Sequence, residues 1–70
     1  MDKLNTLLNE LREKENLSFT DLEESTGISA TYLWLLETKA NKIPSPRILN
    51  TLANFYNVDY TIFINAIKER

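Results

Sequence analysis

"GISATYLWLLETKANKIPSP", residues 27–46, carries the punctuation on which the fold turns. Gly27 is the chain's one glycine and lies between two stretches of helical apolar spacing. Lacking a Cβ, it takes the left-handed backbone of a sharp helix-to-helix turn without steric penalty. Ser29 follows as an N-cap, its side-chain oxygen able to accept from a first-turn N–H. The helix it opens runs to about Thr38, with Leu33 and Leu36 inward at i,i+3. A loop covers Lys39 to Pro44. Ser45 then caps a further helix, with Pro46 at its first position, where a missing N–H is no loss.

The same reading extends in both directions. Upstream, Leu4, Leu7, Leu8 and Leu11 stripe a first helix from about Asp2 to Glu15, broken at Asn16. Ser18 with Asp21 three residues on forms a capping box in which Asp replaces Glu. It opens a short second helix over about Phe19 to Ser25. Downstream, Leu49, Leu52, Ala53 and Tyr56 face inward, and Asn57 is a left-handed stop. Asp59 caps a fifth helix with Tyr60, Phe63, Ile64 and Ile67 on one face. "YTIFINAI" is rich in strand-favouring residues, but a lone strand has no partner here and the spacing is helical. The expectation is an all-α domain of five short helices spanning residues 1–70.

Bulk properties narrow the function. Seventy residues make one domain with a thin core. The absence of Cys and His removes disulfides, the common metal ligands and the usual general base. No cofactor is implied, and no catalytic or metal-binding residue is assigned. Asp21, Glu23 and Glu24 read as helix-dipole partners on a solvated face, not as a catalytic carboxylate pair, since no accompanying base is present. No apolar run approaches the roughly 18 residues of a membrane helix, and the charged amphipathic N-terminus is not a signal peptide. A disulfide-free mini-domain fits the cytoplasm best. Met1 and the charged ending "IKER" favour a whole protein.

The formal net charge is −2 and the pI about 5.0, a poor advertisement for nucleic acid. The distribution is uneven, however. From Ser29 to Val58 the one acid is Glu37, against Lys39, Lys42 and Arg47, so that segment is +2 and the remainder −4.

Taken together, "LS" at 17–18, "TGIS" at 26–29, "YLWLLE" at 32–37 and "IPSPRILNTLANFYNV" at 43–58 resemble the phage-repressor-like (XRE-type) helix-turn-helix DNA-binding family. Each is weak alone; their joint spacing, covering Leu4 to Phe63, is specific. The resemblance implies a helix-turn-helix over about residues 19–38 and an Arg12–Glu37 pair beneath the fold. Three departures stand out. Phe19 replaces a common Gln, Glu23 replaces a favoured Ala and must tilt outward, and Lys39 stands where the family likes Gly. That last change requires either a left-handed Lys or a differently shaped loop.

By the resemblance, the third helix presents Ser29, Ala30, Thr31, Trp34, Leu35 and Thr38 toward the major groove of double-stranded DNA. None of these is the Arg, Asn or Gln on which bidentate base reading usually rests. Thr31, with methyl contacts from Ala30 and Thr31, would support at most an A·T-biased readout. Trp34 and Leu35 admit three uses: core packing, apolar contact with DNA, or docking of a protein partner. Lys39, Asn41, Lys42 and Ser45 are the phosphate candidates, with Thr20 at the start of helix two. Phe19 either covers the core edge or joins an apolar patch with Trp34. Ile62, Phe63 and Ala66 are the candidate surface for a homodimer. The leading expectation is a sequence-specific DNA-binding regulator; the alternative is a protein-interaction module that kept the helix-turn-helix shape.

Overall fold

The computed structural model describes residues 3–39 and 43–69, which form five helices. They are α1 (Lys3–Lys14), α2 (Phe19–Thr26), α3 (Ala30–Thr38), α4 (Pro46–Tyr56) and α5 (Tyr60–Lys68). The segment "YTIFINAI" is helical, as its spacing requires, despite its strand-favouring residues.

Local chemistry explains where each helix begins. Ser18 and Asp21 cap α2 reciprocally: the Asp21 N–H donates to Ser18 Oγ at 3.0 Å, and the Ser18 N–H to Asp21 Oδ2 at 2.9 Å. Ser29, Ser45 and Asp59 cap α3, α4 and α5, each accepting from a first-turn N–H. Pro46 occupies the first turn of α4.

Three helices end on left-handed residues. Asn16 and Asn57 have φ of 56° and 57°, and Gly27 has 76°. After α1, the Leu17 N–H donates to the Arg12 carbonyl and the Asn16 N–H to Glu13; after α4, Val58 donates to Ala53 and Asn57 to Asn54. These paired bonds satisfy carbonyls that a helix end leaves bare. α3 ends otherwise. Its last residue is followed by Lys39 in an extended conformation, φ −109° and ψ 114°. The replacement of the family's glycine is therefore met by an extended Lys39, not by a strained left-handed lysine.

The core is continuous through all five helices: Leu4 and Leu8, Leu22, Ile28, Leu33 and Leu36, Leu49, Leu52 and Ala53, Phe63 and Ala66. Leu7, Leu11, Tyr56, Tyr60, Ile64 and Ile67 rim it, partly buried. α1 packs on α3 and α5, α2 on α3 and α4, and α4 on α5. The sequence reading is corrected at α5. Phe63 is fully buried and Ala66 is 7% exposed, while Tyr60, Ile64 and Ile67 pack partly buried against the core; the expected inward face is present, and Ala66, expected at a dimer surface, belongs to it. A homodimer surface on α5 cannot use Phe63, whose ring the core already takes, and Ala66 has little left to offer. Ile62 is half-buried against the core.

Candidate nucleic-acid interface

The turn between α2 and α3 is built from short polar side chains. Thr26 Oγ1 donates to the Leu22 carbonyl at 2.7 Å and accepts from the Ile28 N–H at 3.1 Å. The Gly27 N–H donates to the Glu23 carbonyl at 2.9 Å, and left-handed Gly27 reverses the chain. Ile28 drops into the core, and Ser29 restarts the helix. Two helices thus cross at a fixed angle with one face of α3 turned outward.

Glu23 adds a clamp from outside. Its Oε1 accepts from the Ala30 N–H at 3.2 Å, tying α2 to the first turn of α3. A long acid in place of a small residue is tolerated because it leans over the crossing instead of entering it. It also sets a negative charge at the N-terminal end of α3. The surface there is less positive than the count over Ser29–Val58 suggests.

The opposite end of α3 is held by α1. Arg12 Nε donates to Glu37 Oε2 at 2.8 Å and Nη2 to Oε1 at 3.1 Å, a two-pronged pair with Glu37 only 7% exposed. Arg12 Nη1 donates to the Leu17 carbonyl at 2.9 Å. Asn9 Nδ2 donates to Glu37 Oε1 at 3.0 Å. Hydrogen bonding to Glu37 holds the Arg12 guanidinium above its ordinary value. Asn5, fully buried, donates to the Leu36 carbonyl and, at 3.4 Å, to that of Lys39. Asn5, Asn9 and Arg12 stand at i, i+4 and i+7 on α1, one stripe of a helix. That spacing is legible in the sequence beside the leucine stripe.

The expected contact residues fall as follows. Thr20, Ser29, Thr31, Thr38 and Lys39 are exposed. Trp34 is 46% exposed; Ala30 and Leu35 are half-buried. Trp34 is thus outside the core, and simple core packing does not account for it. Ser45 is exposed, with its Oγ engaged by the Ile48 N–H at 3.3 Å. The Thr38 hydroxyl donates to the Trp34 carbonyl at 2.9 Å. Asn41 and Lys42 lie outside the described residues. Phe19 and Trp34 come together along one open groove with Asn9, Arg12, Glu37 and Thr38. Phe19 is not simply a core-edge cover, because the Arg12 guanidinium sits over its ring, 4.3 Å from the centroid.

A capped short helix, a left-handed glycine turn and a second helix held at both ends with its outer face exposed define a helix-turn-helix protein. The family comparison agrees: the chain belongs to the helix-turn-helix domain family, whose model matches residues 5–69. Neither the curated proteins nor the solved structures contain a match. The family suggests DNA binding and transcriptional regulation in general terms. No described helix is long and apolar enough to cross a membrane.

Proposed function

We propose that this domain binds double-stranded DNA sequence-specifically and regulates transcription, with α3 lying in the major groove. Thr31, Trp34 and Thr38 face the bases, while Lys39, with Asn41 and Lys42 beyond the described residues, grips phosphates. The observation that carries this reading is the exposed outer face of an α3 anchored at both ends. A rigid reading helix meets DNA without an ordering cost. With no Arg, Asn or Gln on this face, discrimination comes from methyl and aromatic contact with thymine methyls, favouring A·T-rich half-sites. Two copies associating near Ile62 on α5 would address half-sites about one helical turn apart.

The test is binding of a randomised fluorescent duplex library at about 50 mM salt, followed by a salt titration. Affinity should fall by about 0.9 log units per log unit of salt for each phosphate neutralised. No binding at low salt overturns the reading.

A second reading, a protein-docking module, is favoured by the shared groove of Phe19 and Trp34. Trp34→Ala separates the two. If DNA is the ligand, that variant should lose duplex affinity and sequence preference together. If duplex binding is unchanged, Trp34 serves another partner.

A further inference from the structure

We infer that Asn5, on α1 and remote from the reading face of α3, is the residue that positions Lys39 for its phosphate contact. The inference rests on the DNA-binding reading above. Asn5 is 1% exposed, and a buried amide is costly unless its hydrogens find acceptors. Among the described residues, its Nδ2 donates to two carbonyls at the exit of α3, those of Leu36 and Lys39.

The end of α3 makes this pairing informative. α1, α2 and α4 each stop at a left-handed residue; past the stops of α1 and α4 the Leu17 and Val58 N–H groups bond back to helix carbonyls, and at α2 the N–H of Gly27 itself does. α3 stops at an extended Lys39, whose own N–H returns to the Leu35 carbonyl at 2.9 Å. An extended residue does not by itself reverse or aim the chain. The direction in which the backbone leaves α3 is instead set by a side chain reaching from α1. One amide group with two hydrogens spans the last turn and the first residue beyond it. The base of the Lys39 side chain is thereby fixed relative to the outward face of α3. Phosphate grip and base contact then come in one geometry.

A residue that only supports the fold would weaken DNA binding independently of Lys39. A positioning residue acts through it. The experiment is a double-mutant cycle on duplex binding with salt titration, using Asn5→Leu, Lys39→Gln and the double variant, with circular dichroism to verify folding. Asn5→Leu should lose affinity about fivefold and flatten the salt slope by up to about 0.9, as Lys39→Gln does. The double variant should bind no worse than Lys39→Gln alone. Losses that multiply, or an Asn5→Leu variant with wild-type affinity and slope, overturn the role. Should leucine prevent folding, Asn5→Ala enters the same cycle with the same criteria. If the wild-type chain binds no duplex, the DNA reading fails and takes this role with it. If the wild type binds and the cycle is additive, only the role of Asn5 fails.

Discussion

The Arg12 guanidinium lies over the Phe19 ring, 4.3 Å from its centroid, while its edge is spent on Glu37 and the Leu17 carbonyl. An aromatic at the start of α2 thus lids the ion pair that joins α1 to α3. Phe19→Leu should cost about 0.5–1 kcal/mol by removing the ring's attraction for the cation. Phe19→Ala should cost about 2 kcal/mol by removing packing as well. Urea denaturation measures both, and equal stability of Phe19→Leu and wild type would show that the stacking contributes nothing.

Breaking the pair beneath that lid has a larger effect. Glu37 and Arg12 expose 6% and 16% of their side chains, so removing one partner strands a charge with little water. Glu37→Ala should cost about 3 kcal/mol or more, a large share of the roughly 4–10 kcal/mol expected for a domain this size. Replacing both, as Arg12→Met with Glu37→Leu, should be much milder. Thermal melts of the three variants decide it; a double variant as unstable as the single one contradicts the desolvation argument.

Stability should depend on pH at both extremes. Hydrogen bonds from the Ser18 N–H to Asp21 and from the Thr61 N–H to Asp59 hold both carboxyls below their ordinary value. Their contribution is present above the unfolded value of about 3.9 and is lost as pH falls through the lower folded values. Asp21→Asn and Asp59→Asn should blunt that acid limb. Burial pushes the Tyr56 hydroxyl from 10.0 up to about 12. Its contribution is complete below pH about 10 and disappears as pH climbs toward the folded value. Tyr56→Phe should flatten that limb, and denaturation midpoints across pH would show whether it does.

Left-handed stops can be tested by swapping side chains where φ is positive. Asn57→Ala should cost about 1 kcal/mol, since alanine keeps the Cβ but loses the amide that makes the left-handed conformation tolerable at φ 57°. Asn57→Gly should be near neutral. Indistinguishable melting temperatures for the two variants would mean that the conformation at 57 relaxes freely.

Which parts of this molecule could be read from its residues follows from the range of the forces involved. Caps and stops are local: Ser18 with Asp21, Ser29, Ser45 with Pro46, Gly27 and Asn57 each act within a few positions, and each stands where its residue type predicted. The Arg12–Glu37 pair was anticipated through family likeness, since nothing local links residues 25 positions apart. Tertiary substitutions escaped. That Phe19 would serve Arg12, Glu23 the Ala30 N–H, and Asn5 the end of α3 depends on which side chains meet after packing. On α5, Ala66 read as an outward neighbour because a small residue carries a weak periodic signal, yet its size is what lets it sit within the core.

Both ends of α3 are fastened by groups that belong to other helices, Glu23 at the first turn and Asn5, with Arg12 through Glu37, at the last. The fastening leaves Thr31, Trp34 and Thr38 outside it, apart from a hydroxyl bond within the helix itself. The outer positions can therefore be rewritten with little consequence for folding. Selection, or an engineer, can exchange the message on this helix while keeping its mount, and the unusual letters it now carries need not signal a damaged reader.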